Sequence, residues 1–209
     1  TPLVAALAVR LMHEAGIPRD AIQLLPGRGE VIGAALVADP RTQGVIFTGS
    51  TQVARLIYRT LAQRGGDIPL IAETGGMNAM IVDSSALPEQ VVSDAITSAF
   101  DSAGQRCSAL RVLYLQHDIA DRVITMLKGA MDELVVGDPA RLATDVGPVI
   151  DEEARQNLLA HITRIKNTAR WHHTVSAPEN GTFVAPFLCE ISSIRELKQE
   201  VFGPVLHVI

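Results

Sequence analysis

The chain has 209 residues, 47% of them hydrophobic, 4% aromatic and 20% charged, with a formal net charge of −5. That length serves one large domain or two small ones with a full core. Scarce aromatics and the lack of any Lys/Arg block exclude a nucleic-acid or anionic-membrane footprint, and no apolar run reaches the roughly 18 residues that cross a bilayer.

Thr1 to Val9 is apolar but has neither a basic leader nor a cleavage site, so it does not read as a signal peptide. Leu3, Leu7 and Leu11 repeat at i,i+4 and predict a helix over about residues 3–15. With no Met and a helix that begins at once, the chain is expected to be cut from something longer. A short apolar run, Ile22 to Leu25, closes at Pro26-Gly27, and a helix is expected near Glu30–Val37. Val45-Ile46-Phe47 reads as a buried strand ended by Thr48-Gly49-Ser50. The following helix carries Val53, Leu56, Ile57 and Leu61 on one face.

Two apolar runs, Pro69–Ala72 and Ala79–Val82, flank Gly75-Gly76, the expected domain boundary. A long helix is predicted over about Pro88–Ala103, a strand over Arg111–Leu115 and an amphipathic helix near Ile119–Leu134. Gly137-Asp138-Pro139 and Gly147-Pro148 are turns. A helix starts near Asp151 with Leu158, Ile162 and Ile165 as its apolar face. Trp171–Thr182 reads as polar and turn-rich, Phe183–Ile191 as extended, and an apolar strand ends the chain. Strands alternating with helices imply an α/β fold with a mostly parallel sheet, and ligands are expected at the carboxyl ends of strands.

Two cysteines, Cys107 and Cys189, make no disulfide framework, so a reducing, cytoplasmic setting is expected. Cys107 sits at a helix–strand junction in Gly104-Gln105-Arg106-Cys107-Ser108, where a thiol is accessible and Arg106 could favour the thiolate. From position alone, a small buried hydrophobe is an equal reading. Cys189 lies in an apolar extended segment and reads as core.

Glu73 stands at the carboxyl end of an apolar strand, where partial burial would tune it toward general-base work; alone, a solvated strand-end charge is the stronger reading. Gly49 and Ser50 turn a strand into a helix and suit a phosphate, although Ser50 also suits a plain N-cap, and no Gly-x-Gly-x-x-Gly is present. His172-His173 and His117 read as surface, and no cluster has metal-ligand spacing.

Together and in this order, Phe47-Thr48-Gly49-Ser50, Glu73-Thr74-Gly75-Gly76, Gly104-Gln105-Arg106-Cys107 and Glu200-Val201-Phe202-Gly203-Pro204 resemble the aldehyde dehydrogenase superfamily over essentially the whole chain. The stretches from Ala72 to Ala86 and from Ser102 to Arg111 are most similar to the dehydrogenase module of bifunctional proline utilization A. Many aldehyde dehydrogenases instead carry Leu where Thr74 stands and Lys where Met77 stands.

The resemblance implies part of a Rossmann-like NAD-binding domain over residues 1–75 and part of the catalytic domain over residues 76–209. It implies NAD-dependent oxidation of L-glutamate γ-semialdehyde, in equilibrium with 1-pyrroline-5-carboxylate, to glutamate. Cys107 would be the nucleophile and its backbone N–H part of the oxyanion hole, and Glu73 would be the base. Gly49 and Ser50 would contact the cofactor pyrophosphate, Val53 its adenine, Glu200 the nicotinamide ribose and Phe202 the ring. Ser108 would hold the substrate carboxylate.

The same resemblance implies homo-oligomerisation of the full-length protein. Any flavin (FAD) would belong to a separate proline dehydrogenase module. Family parts outside these residues, among them the second oxyanion donor and the substrate-anchoring loop, imply that the isolated segment lacks full activity. Detectable turnover of glutamate semialdehyde by the 209 residues alone would contradict that expectation. The alternatives are an aldehyde dehydrogenase for another aldehyde, a catalytically silent domain kept for assembly, and a thiol hydrolase. Intact Cys107 and Glu73 argue against the silent domain, and the lack of a His base in either motif argues against the hydrolase.

Overall fold

The i,i+4 leucines do form a helix, α1 (Pro2–Glu14), in the computed structural model, which describes residues 2–209. Thr1, the first residue of the apolar N-terminal run, lies outside the described residues. The chain divides after Thr74 into two compact units, one residue before the expected double-glycine boundary.

In the first unit, strand β1 (Val45–Gly49) pairs in parallel with β2 (Leu70–Thr74), connected by α3 (Thr51–Arg64). Ser50 caps α3 by accepting a 3.2 Å hydrogen bond from the Val53 N–H. The helix packs on both strands and on the short α2 (Ala34–Ala38), burying Ala54 and Leu61. The apolar run 22–25 forms no regular element. Two sequence expectations change. The helix expected from Glu30 begins as a wider five-residue turn, Gly29–Gly33, before α2. The strand read as buried is not: Ile46 is 82% exposed, because side chains alternate along a strand and α3 covers only one face.

In the second unit, five strands run in the order β3 (Ala79–Val82), β4 (Val112–Leu115), β7 (Val205–Val208), β6 (Phe187–Glu190), β5 (His172–Thr174). Every pairing is parallel except β5 with β6. Helices α4 (Pro88–Phe100) and α5 (His117–Asp132) pack together, and α4 also packs on the central β7. Helix α6 (Glu152–Lys166) is capped by Asp151, which accepts from the Ala154 N–H at 2.8 Å. It buries the expected Leu158, Ile162 and Ile165.

The core joins Phe100, Leu113, Leu127, Met131, Phe187, Leu188 and Leu206, and Cys189 lies within it as expected. Strand β5 lies inside the stretch read as turns. Its three residues, His-His-Thr, are too polar and too few to show alternation, and pairing with β6 is what makes them a strand.

Candidate active site

The polypeptide around Cys107 is shaped by three successive left-handed residues. Helix α4 stops at Phe100, three residues short of the expected end, and Ser102, Ala103 and Gly104 then take φ of 55°, 53° and 64°. That conformation costs ordinary residues about 1–2 kcal/mol each and costs glycine little. Space singles out Gly104 as well: a Cβ there would overlap the Gly203 carbonyl and lie 2.8 Å from the Ala99 oxygen. The kink turns the chain out of the core, so Ala103 is buried while Arg106, Cys107 and Ser108 are exposed.

Side chains then pin the loop. The Asn78 amide nitrogen donates to the carbonyls of Cys107 and Ala109 at 2.6 and 3.0 Å. The Gln105 amide oxygen accepts from the Ile150 N–H at 2.8 Å. Arg106 donates to the Ser102 hydroxyl at 3.0 Å, so its exposed guanidinium is committed within the turn. Among the described residues, the Cys107 backbone N–H has no acceptor, which leaves it available to an oxyanion.

The charge buried beside this loop is Arg111, 1% exposed. It donates to the carbonyls of Gly104, Gly203 and Arg106 and forms an ion pair with Glu200 at 3.0 Å. Its guanidinium also lies 5.2 Å from the centre of the Phe202 ring. Burial lowers the Arg111 pKa from its ordinary value, and the Glu200 carboxylate opposes that shift. Arg111 uses Oε1 of Glu200; among the described residues, Oε2 has no hydrogen-bond partner. A Cβ at Gly75 would overlap the Glu200 carboxylate, so only glycine leaves it this position. A held carboxylate with one free oxygen fits a hydroxyl-bearing ligand such as a ribose, and Phe202 beside it is 45% exposed.

Neither Arg111 nor Asn78 was assigned a role from sequence. Arg111 reads there as the start of a strand, and its burial is a tertiary property. The strand polarity also differs from expectation. Gly49 and Glu73 do lie at the carboxyl ends of β1 and β2. In the second unit, however, the loops carrying Cys107, Ser108, Glu200 and Phe202 precede β4 and β7, at the amino ends of parallel strands. The long α4 and the kink place Cys107 and Ser108 there.

In the first unit, Gly49, Ser50 and Val53 line the β1–α3 turn, and Val53 is 42% exposed. Glu73 is exposed, as the solvated strand-end reading expects, and the partial burial that would tune it as a base is not found; among the described residues β2 pairs only with β1. His117 and His172 are exposed as expected, whereas His173 is half-buried and bonds Asp132 at 2.8 Å. Among the described residues no group of three His, Cys, Asp or Glu could hold a metal ion, and no helix is long and apolar enough to cross a membrane.

All 209 residues match the profile of the aldehyde dehydrogenase family. The chain is 58% identical over 221 aligned positions to the bifunctional protein PutA of Klebsiella aerogenes, covering 100% of this chain but 17% of that protein. Among solved structures, a variant of Bradyrhizobium japonicum proline utilization A superposes with a TM-score of 0.96 at 60% identity, covering 100% of this chain and 21% of the other. A 1-pyrroline-5-carboxylate dehydrogenase from Thermus with bound NAD gives 0.90 at 34% identity, covering 100% and 42%. The chain therefore spans about a fifth of the PutA proteins it matches.

Proposed function

Because the chain belongs to the aldehyde dehydrogenase family, we propose that it is the segment of a longer polypeptide carrying the nucleophile for NAD-dependent oxidation of L-glutamate γ-semialdehyde. The observation that carries this reading is an exposed Cys107 on a loop held from beneath by Asn78 and Arg111, with its backbone N–H unused. The substrate and its place in proline catabolism rest on the similarity to PutA and to 1-pyrroline-5-carboxylate dehydrogenase.

The Cys107 sulfur attacks the aldehyde carbon and forms a thiohemiacetal, whose oxyanion the Cys107 N–H receives. NAD, when bound, would supply the hydride acceptor needed for oxidation of the Cys107 adduct to a thioester. Glu73 takes a proton from the water that cleaves this thioester and releases glutamate. Ser108, next to the nucleophile, holds the substrate carboxylate. Glu200 would hold the nicotinamide ribose through its free oxygen, with Phe202 beside the ring, while Gly49 and Ser50 would contact the pyrophosphate and Val53 the adenine.

The test is NADH formation by the whole polypeptide with 1-pyrroline-5-carboxylate, beside a panel of aliphatic aldehydes. Turnover that favours 1-pyrroline-5-carboxylate and vanishes in Cys107→Ser is the expected result. Preference for simple aldehydes overturns the substrate assignment, and turnover that survives in Cys107→Ser overturns the mechanism.

A further inference from the structure

Five hydrogen bonds leave the Arg111 side chain, and they reach two separate loops. Nη1 and Nη2 donate to Gly104, the last residue of the kink, and to Arg106, next to Cys107, at 2.7 and 3.0 Å. Nη1 also donates to Gly203 at 3.2 Å, while Nη2 and Nε converge on Glu200 Oε1 at 3.0 and 3.3 Å. The two loops lie far apart in sequence, and a Cβ on Gly104 would overlap the Gly203 carbonyl, so they meet backbone to backbone.

A guanidinium this buried is costly unless every donor is used. Here the donors are spent on loop carbonyls and one carboxylate rather than on a helix or strand. The strand side is fixed too, since the Arg111 carbonyl accepts from both the backbone N–H and the ring Nδ1 of the fully buried His207, each at 3.0 Å.

We infer that Arg111 is a positioning residue that clamps the Cys107 loop to the Glu200–Gly203 loop, so that the thiol and the carboxylate are presented as one rigid body. Arg111 itself need touch no ligand. The inference deepens the proposed function, because it concerns the groups that reading assigns to chemistry and to cofactor binding. Lysine cannot replace it: an ammonium keeps the charge but lacks the planar fork that reaches both loops at once.

The test uses neither aldehyde nor cofactor, so it fails or succeeds independently of the proposed reaction. Amide hydrogen exchange is followed in the whole polypeptide for the wild type, Arg111→Lys and Glu200→Gln. Loss of the fork that holds both loops makes exchange at the hydrogen-bonded amides of Gln105, Ala109 and Gly203 at least about tenfold faster in Arg111→Lys, with strand β6 unchanged. Glu200→Gln alters only the far loop, yet the clamp transmits the change and exchange at Gln105 and Ala109 also quickens.

A second readout is coupling: combining Arg111→Lys with Glu200→Gln quickens exchange at Gln105 and Ala109 no more than Arg111→Lys alone, whereas two independent contacts would add. Should Arg111→Lys fail to fold, Glu200→Gln decides alone. Unchanged exchange at Gln105 and Ala109 in Glu200→Gln, or additive effects in the double variant, overturns the clamp.

Discussion

Mild acid should weaken the second unit through two histidines that the reaction does not use. His207 is fully buried, with Nδ1 3.0 Å from the Arg111 carbonyl and Nε2 3.0 Å from Nε2 of His161. A carbonyl only accepts, so His207 carries its proton on Nδ1 and receives the Nε2–H of His161. His161 Nδ1 accepts from Arg164 at 2.9 Å. Both rings are therefore neutral, and a further proton would find no acceptor. Burial is the main cause that pulls both from 6.5 to about 4; at His161 the neighbouring His207 and Arg164 add to it.

A folded pKa below the unfolded one means that the unfolded chain takes up protons first. The stabilisation is fully present above about pH 6.5 and is lost as pH falls toward 4. For one histidine shifted from 6.5 to about 4, the loss between pH 7 and pH 5 is about 2 kcal/mol, and about 3 kcal/mol in full. The two rings share a bond, so their effects do not simply double. Against a typical stability of about 5–15 kcal/mol the change is easily measured.

Trp171 is the chain's single tryptophan and belongs to the second unit, so its fluorescence follows that unit in urea titrations. Wild type should lose about 2 kcal/mol more between pH 7 and pH 5 than His207→Gln, whose amide keeps a donor for the Arg111 carbonyl and does not titrate. Equal losses in the two proteins would refute the reasoning.

Gly104→Ala should destabilise the same unit by at least about 2 kcal/mol, since a left-handed backbone and a carbonyl overlap act together; a urea midpoint within experimental error of wild type would contradict the account of the kink. Iodoacetamide at pH 8 should label Cys107 in the folded protein and spare Cys189, whose thiol burial pushes up to about 12; equal labelling, read by peptide mass, would contradict the placement of both.

Much of the fold was legible because periodicity survives where one face is buried. Leu158, Ile162 and Ile165 on α6 and the interior Cys189 are examples. Periodicity failed where structure comes from distant partners: β5 is a strand only because β6 lies beside it, and the left-handed Ser102 and Ala103 carry side chains that give no local warning of a kink.

The candidate site was legible as an ordered set of short motifs, each weak alone. What holds the set was not. Arg111 and Asn78 look like ordinary residues at strand starts, and only the packed structure shows one spending five donors and the other two carbonyl contacts on the loops they support. Exposure went the other way for Ile46, because an apolar run signals a strand without saying which of its faces will be covered.

With Cys107 as the nucleophile and Glu73 as the base that clears its adduct, loss of the base should trap the adduct. Glu73→Gln in the whole polypeptide should slow release of the acid about 10²-fold or more while leaving acylation possible. Mixed with glutamate semialdehyde and NAD and then digested, this variant should yield a peptide with a glutamyl thioester on Cys107, absent when NAD is withheld. Acylation of a different residue, or no adduct while NADH still forms at the wild-type rate, would contradict the account.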